Sequence, residues 1–455
     1  MENKENQVEE KKEENEDKVT QNSIEKVELP EESEHIKNLT KIEDIEDISA
    51  KDLTWDELGV NDELKKGLLE MGFVKPSKIQ TTSFPLIMKE PRKPLIAQGK
   101  NGTGKTCAFG LGVLSTIDQK SKDLQAIIFC HTREMINQST SVLQKMGKYM
   151  NIKITPLLAG EEFKGEYGQI ILLTPGHFEN QFIKKKKKLN TIKIIVLDEA
   201  DYFISSNAKM NPTIKQTNAL NVEIFKKLFK ILEKEKLNPQ VLFFSATYSN
   251  ENKKFIGQYF KEANMITVKK EELTLENIEQ YVAYCKTEEE KISYIEKFLG
   301  VNMNQERIII FVNTKKYVIK LQENLVKKGY KVYIIMGGDM DPEERDTTIK
   351  KFTKGEIQIL IATDLLSRGF DEQLVKLVIN FDMPTHNNPK EYSTYLHRIG
   401  RAGRFGTKGL TLNLAMTEQD KSFISEVQKF FKTKIKEING FDEMIEKFKK
   451  LDLEK

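Results

Sequence analysis

The eight residues Gly99-Lys100-Asn101-Gly102-Thr103-Gly104-Lys105-Thr106 fit G-x-x-x-x-G-K-[ST] at every defined position. Such a loop can cradle an anion only when a buried strand delivers it and a helix leaves it, because the converging backbone N–H groups belong to the helix's first turn. Both flanks are present: Leu95-Ile96-Ala97 reads as a short buried strand, and Thr106 to Leu114 as the start of a helix. In this setting Lys105 would reach the β- and γ-phosphates of a nucleotide, and the Thr106 hydroxyl would ligate Mg2+. About ninety residues downstream the apolar run Ile194-Ile195-Val196-Leu197 opens onto Asp198-Glu199-Ala200-Asp201. An acidic cluster after a strand is by itself most often a solvated loop. Beside a phosphate loop it reads as a second wall, offering carboxylates to a metal.

The loop implies a parallel sheet, and the rest of the chain agrees. Short apolar runs alternate with amphipathic stretches at Ala126–Cys130, Ile170–Leu173, Ile192–Leu197 and Val241–Phe244. The pattern lapses into charge around Lys269-Lys270-Glu271-Glu272, then resumes at Ile308–Val312, Val332–Met336, Ile357–Ala362, Val378–Phe381 and Leu410–Leu414. The second series has no G-K-[ST] loop of its own, so two similar lobes share one phosphate site across a cleft. Residues 1–50 are then an acidic extension, 51–270 the first lobe, 271–280 a linker and 281–455 the second lobe.

Length and charge fit this division. A chain of 455 residues with 38% hydrophobic and 31% charged side chains is long enough for two globular domains with a wet surface. It contains no run of eighteen apolar residues and no signal-peptide pattern after Met1, so membrane insertion is not expected. Cys107, Cys130 and Cys285 are too scattered for a metal motif and suit a reducing, intracellular setting. Residues 1–50 hold seven lysines against seventeen acidic groups, a net charge of −10, which leaves +13 on the remainder of a chain totalling +3. A basic body with an acidic tail suggests a polyanionic partner for which the tail competes, or a tail that is only solubilising and disordered.

Further segments bear a family resemblance. Phe73 and Lys75-Pro76-Ser77-Lys78-Ile79-Gln80, the Gly99–Thr106 loop, Thr132-Arg133-Glu134, Asp198–Asp201, Ser245-Ala246-Thr247 and His397-Arg398-Ile399-Gly400-Arg401-Ala402-Gly403-Arg404 stand in the order found in DEAD-box RNA helicases. From about Trp55 onward the chain resembles that family, whose members are superfamily 2 motors with two RecA-like lobes. The resemblance implies an α/β fold of two tandem RecA-like domains, each a parallel sheet flanked by helices, and RNA-stimulated ATP hydrolysis with Mg2+. It places Phe73, Lys78 and Gln80 at the nucleotide, where an amide suits the edge of adenine and a ring its face. Trp55 is expected to pack behind this site. Gly102, Thr103, Gly104, Lys105 and Thr106 would hold phosphates; Thr106, Asp198 and Glu199 would surround the metal, with Glu199 deprotonating the attacking water. Asp201 would tie the acidic loop to Ser245 and Thr247, and His397 would link it to the second lobe. Three arginines spaced by small residues read as a solvated loop or an anion site rather than core. The resemblance gives Arg401 and Arg404 the arginine-finger role, and Gly369 and Asp371 a place near the ribose.

The RNA candidates implied are Thr132, Arg133, Gly160, Thr174, Pro175 and Gly176 in the first lobe, and Asn313, Thr314, Arg345 and Thr363 in the second. Short polar loops of this kind suit phosphates and 2′-hydroxyls rather than base edges. The run Lys184–Lys188 reads as a solvated face, as an extension of the RNA track, or as a site for another acidic partner. Departures from the family pattern are His131, Ala159, Pro342, Ser367 and Phe370, none at a position needed for hydrolysis.

Outside the shared motifs, Leu95-Ile96-Ala97-Gln98, Val378–Pro384, the stretch Thr385–Thr394 and the C-terminal segment from Phe430 are similar to the branch that remodels messenger ribonucleoprotein at the nuclear pore. That branch implies single-stranded RNA or messenger ribonucleoprotein as substrate, a nuclear-pore activator acting with inositol hexakisphosphate, and a nucleoporin partner. It further implies a monomer in cytoplasm and nucleus. A translation-initiation helicase, or an ATP-locked RNA clamp within a larger assembly, would use the same motifs.

Overall fold

The computed structural model describes residues 40–42, 53–158, 163–204, 212–268, 277–300, 306–337, 340–366, 375–384, 392–403, 408–438, 442, 445 and 446. Eight strands form the first sheet: β1 (Thr40–Ile42), β2 (Leu95–Gln98), β3 (Ala126–Phe129), β4 (Ile154–Leu157), β5 (Ile170–Leu173), β6 (Ile194–Asp198), β7 (Gln240–Ser245) and β8 (Asn264–Ile266). They are parallel throughout, in the order β1-β8-β2-β7-β6-β3-β5-β4. The second sheet holds β9 (Ile278–Tyr284), β10 (Arg307–Phe311), β11 (Tyr333–Ile335), β12 (Ile359–Ala362), β13 (Val375–Asn380), β14 (Gly409–Ala415) and β15 (Lys436–Glu437). Its order is β11-β12-β10-β13-β14-β9-β15, again all parallel. The fold is the expected pair of tandem RecA-like domains.

Continuous apolar runs form these strands because both faces of each sheet are covered by helices. In β6, Ile194 and Val196 enter the core on one face and Ile195 and Leu197 the core on the other. In β10 the same split separates Ile308 and Ile310 from Ile309 and Phe311. Each buried aliphatic side chain of this kind contributes about 1.5–3 kcal/mol. No helix among the described residues is long and apolar enough to cross a membrane.

Five strands, β1, β4, β8, β9 and β15, lie outside the apolar runs expected from the sequence. Part of the acidic extension, Thr40–Ile42, pairs with β8 at the edge of the first sheet. β9 begins inside the stretch expected to be linker, and pairs with β14 over seven residues. Its Glu279 and Gln280 break the apolar run, while Gln280 is buried because it accepts a hydrogen bond from Tyr395. β4 contains Pro156, tolerable because β4 is the sheet's edge. β15, only two residues long, has both residues exposed and no apolar signature.

The carboxyl ends of β2, β3, β5, β6 and β7 deliver the loops of interest, which is where open parallel sheets bind ligands. Behind them sits Trp55, 3% exposed, whose indole N–H donates to the Phe73 carbonyl at 2.8 Å. This is the chain's single tryptophan, so its emission reports on the first lobe alone. Ile195→Ala should therefore lower the stability of that lobe by about 2–5 kcal/mol, seen as an earlier urea midpoint in Trp55 fluorescence.

Candidate active site

β2 ends in the Gly99–Thr106 loop, and Gly104, at φ +90°, turns it into the helix Lys105–Thr116. That positive φ favours glycine, and a Cβ at Gly104 would lie 2.7 Å from the Gln80 amide nitrogen and force that side chain to shift. The Lys105 ammonium is folded onto its own loop, donating to the carbonyls of Gly99 (3.0 Å) and Lys100 (3.3 Å) and to Asn101 Oδ1 (3.3 Å). Gln80 and Ser77 brace this loop from the adjacent helix, Lys78–Met88. Ser77 Oγ donates to Thr103 O at 2.9 Å, and Gln80 donates to Gly104 O at 3.4 Å while accepting from Ser77 N–H at 2.8 Å. The family resemblance places Gln80 at adenine; in this structure its amide also touches the phosphate loop. Lys78 begins the braced helix and stands exposed in solvent, whereas Lys75 lines the cleft.

The acidic wall follows β6. Glu199 adopts a left-handed backbone, φ +57°, which turns the chain sharply into the short helix Ala200–Phe203. Asp198, Glu199 and Asp201 are all buried. Asp201 is held at both oxygens, accepting from Ser245 Oγ and Thr247 Oγ1 at 2.8 Å each. Glu199 Oε2 is buried and accepts no hydrogen bond among the described residues. Burial, then repulsion from Glu199, raises the Asp198 carboxyl from 3.8 to about 7, against the opposing pull of Lys105.

The second lobe closes the cleft. A space of about 470 Å³ is lined by Phe73, Lys75, Gln80, Gly102 to Thr106, Asp198 and Glu199 of the first lobe and by Arg401 of the second. Arg401 follows the helix Tyr392–Ile399 and is 2% exposed, its Nε donating to His397 O at 3.1 Å. The His397 ring is fully buried between the lobes, with Nε2 3.8 Å from Glu199 Oε2 and 4.0 Å from Asp201 Oδ2. Its Nδ1 lies 3.4 Å from the Asn101 amide nitrogen of the phosphate loop. The lobes meet so closely here that a Cβ on Gly400 would come within 2.8 Å of that nitrogen.

One of the three arginines corrects the sequence reading. Arg398 is 0% exposed, and core is where it belongs. It donates to Asp364 Oδ1 and Oδ2 (2.6 and 3.1 Å), to Asp382 O (2.6 Å) and to Asn313 Oδ1 (2.7 Å), with its guanidinium over the Phe311 ring. It is a strut joining the ends of β10, β12 and β13, which sequence reasoning missed. Its signal was the pairing of a helical position with acids at Asp364 and Asp382, both far away in the chain. Arg404, Gly369 and Asp371 lie outside the described residues.

The RNA candidates collect at strand ends. Thr132, Thr174 and Thr314 each cap a helix N-terminus, accepting from the N–H of Met135, His177 and Tyr317, so the first-turn amides beside them lie past the carboxyl ends of β3, β5 and β10. Pro175 opens the second of these helices, and a Cβ on Gly176 would meet nothing within 4 Å. Thr363 follows β12 and is half-buried. Gly160 lies outside the described residues. Three candidates have their side chains engaged within the protein. Asn313 bonds Met383 O and Arg398. Arg133 pairs with Asp346 at 3.1 Å and Arg345 with Glu134 at 2.5 Å, two crossed pairs between the lobes.

Two tandem RecA-like lobes with a split phosphate site define a nucleotide-driven motor, and comparison with known proteins agrees. Residues 77–255 match the DEAD/DEAH box helicase family, and residues 290–406 the helicase conserved C-terminal domain. DEAD-box ATP-dependent RNA helicase 38 of Arabidopsis thaliana is 37% identical over 401 residues, 85% of this chain and 78% of that one. The structure of S. cerevisiae Dbp5 bound to RNA and ADP BeF3 superposes with a TM-score of 0.79 at 33% identity, covering 88% of this chain and 99% of that one. A Dbp5 variant bound to Nup159, a Gle1 variant, IP6 and ADP gives 0.59 at 30% identity, covering 87% and 100%. The chain belongs to the DEAD-box ATP-dependent RNA helicases.

The crossed pairs predict a charge-swap result. Arg345→Glu would set two carboxylates against each other in a nearly dry contact and should weaken RNA binding, in the presence of a non-hydrolysable ATP analogue, on the order of 100-fold. Adding Glu134→Arg should recover most of the loss, measured by anisotropy of a labelled single strand.

Proposed function

We propose that this helicase hydrolyses ATP in the cleft between its lobes, closes on single-stranded RNA as ATP binds, and reopens on product release. The observation that carries the reading is that Lys105, Asp198 and Glu199 of one lobe and Arg401 of the other line a single space. Lys105 exchanges its loop carbonyls for nucleotide phosphates, and the loop's N–H groups take the remaining oxygens. Glu199, with a buried oxygen that accepts no hydrogen bond among the described residues, orients the attacking water and takes its proton. Arg401 neutralises charge that develops on the transferred phosphoryl group, and can do so only while the lobes are closed. Asp201, pinned by Ser245 and Thr247, keeps the acidic loop in register with the phosphate loop.

The donor set also fits Mg2+. Two adjacent buried carboxylates, one with an oxygen lacking a hydrogen bond among the described residues and the other raised in pKa, lie on the same cleft as the Thr106 hydroxyl. Asp198, Glu199 and Thr106 would hold the ion, which when bound supplies charge neutralisation for phosphate oxygens. The cluster Glu199, Asp201 and His397 also has metal-ligand spacing. There Asp201 already accepts two hydroxyl bonds, which favours the Asp198 side.

Thr132, Arg133, Gly160, Thr174, Pro175, Gly176, Asn313, Thr314, Arg345 and Thr363 are the RNA surface in this reading. The helix N-termini meet phosphates, while Asn313, Arg133 and Arg345 act by shaping the surface and holding the lobes together. Gly369, Asp371 and Arg404 complete the nucleotide site. The cellular task that fits best is remodelling messenger ribonucleoprotein at the nuclear pore, in cytoplasm and nucleus, as a monomer. Its activator would act with inositol hexakisphosphate, and a nucleoporin would be a further partner. The likeness to Dbp5, solved with RNA and also with Nup159, Gle1 and IP6, supports this.

Glu199→Gln should cut RNA-stimulated turnover by at least about 100-fold yet retain ATP-dependent RNA binding. Full hydrolysis by the unaltered protein without RNA would overturn the coupling. Asp198 sets a pH dependence. With its carboxyl at about 7 in the metal-free fold, a proton must leave before a cation binds below that pH. Apparent Mg2+ affinity should then fall about tenfold per pH unit below 7 and level off above it. In the same window, from 3.8 up to about 7, the metal-free fold holds a proton the unfolded chain has lost. Its stability should therefore decline as pH rises, a trend that Asp198→Asn removes.

A further inference from the structure

The run Lys184–Lys188 takes no part in the site described so far. It follows the helix Pro175–Phe178 and its continuation as a π-helical turn, Glu179–Ile183, a distortion that tends to occur at functional positions. All five lysines are exposed. Their described hydrogen-bond partners are neutral: Lys184 donates to Asn180 (2.8 Å), Lys185 to Gln181 (2.9 Å) and Lys187 to the Tyr167 hydroxyl (2.8 Å). Among the described residues no carboxylate pairs with any of them; the nearby Glu179 is held by Lys227. Five like charges without counterions in one turn are unfavourable unless an anion settles on them.

Beside these lysines is a row of rings. Phe178 and Phe182 stack with centroids 5.1 Å apart and planes at 13°, Phe182 and Tyr167 at 5.5 Å and 25°, and Tyr167 and Phe163 at 5.1 Å and 11°. Phe178 and Phe182 are buried, while Tyr167 and Phe163 are half-buried, so the row rises from the core to the surface. The Lys187 ammonium sits 4.3 Å from the Tyr167 ring centroid. Cations beside a stack of rings are the composition of a surface that holds single-stranded nucleic acid, phosphates on the one and bases on the other. Gly176 lies only about 12 Å of helix from Lys184, and Lys185 is close enough to His177 to add to the lowering that burial imposes on its imidazole.

We propose that Lys184–Lys188, with Tyr167 and Phe163, form an extension of the RNA track on the first lobe, engaging the strand where it leaves the Thr174–Gly176 loop. The extension adds affinity for longer RNA and takes no part in hydrolysis. It rests on the reading of Thr174–Gly176 as an RNA contact.

The test compares RNA of roughly 6 and roughly 16 nucleotides on the full chain and on a variant with Lys184→Gln, Lys185→Gln, Lys186→Gln, Lys187→Gln and Lys188→Gln together. Tyr167→Leu serves as a second variant. With a non-hydrolysable ATP analogue, the lysine variant should bind the short RNA as the parent does. It should bind the long RNA on the order of tenfold more weakly, with a salt dependence shallower by about 0.7 for each phosphate that is no longer neutralised. Tyr167→Leu should lose affinity for long RNA without a change in salt slope. Equal binding of long RNA by all three proteins would overturn the proposal and give the lysines to another acidic partner. An equal loss on short RNA would also overturn it, by placing the lysines in the main track. Failure of short RNA to stimulate the parent ATPase would instead count against the RNA site itself.

Discussion

Three carboxylates crowd the end of β6 in a site that closure keeps nearly dry, and much of the surrounding structure exists to make that tolerable. Burying such charges without compensation costs several kcal/mol apiece. Each is dealt with differently. Asp201 accepts two hydroxyl hydrogen bonds, Glu199 faces the buried ring of His397 from the other lobe, and Asp198 is pushed to about 7 despite Lys105. The compensation comes from the phosphate loop, from the end of β7 and from the second lobe. A site whose charge is balanced only by parts that can separate is sensitive to whether they are together, which is the requirement for a coupled ATPase.

The phosphate loop is the second half of the same constraint. Its lysine is satisfied by three loop oxygens, while Ser77 and Gln80 fix its backbone from behind. Asn101 then extends from this loop to His397, and the bare backbone of Gly400 lets the two come together. A nucleotide that draws Lys105 away from Asn101 alters the same side chain that touches the second lobe. Ligand binding and lobe contact thus share atoms, and no longer route between them is required.

Much of this was legible in the sequence because it is local. The Gly99–Thr106 loop needs only its flanking strand and helix to be recognised, and apolar runs such as Ile170–Leu173 and Ile194–Leu197 show both their buried faces at once. What was misread depends on distant partners. Arg398 resembles a surface residue until Asp364, Asp382 and Asn313 arrive around it. Gln280 looks like linker until Tyr395 covers it. The ion pair of Arg345 was equally invisible, because nothing near it in sequence announces Glu134, more than two hundred residues away.

The crossed pairs Arg133–Asp346 and Arg345–Glu134 add specificity to closure. Each lobe offers one cation and one anion on consecutive residues, so only one relative register matches both; a shift would bring like charges together. Arg133 and Glu134 begin the helix that Thr132 caps, and Arg345 and Asp346 lie in the first turns of the helix that Asp341 caps. The caps that fix where these helices begin therefore fix the register of the lobes as well. At the capped helix of the first lobe, the first-turn amides belong to the same turn as its half of the crossed pairs. If, as proposed, RNA lies along that edge, it would stiffen a turn whose side chains decide whether the lobes fit, and RNA and lobe closure would then reinforce each other without RNA having to touch the ATP cleft.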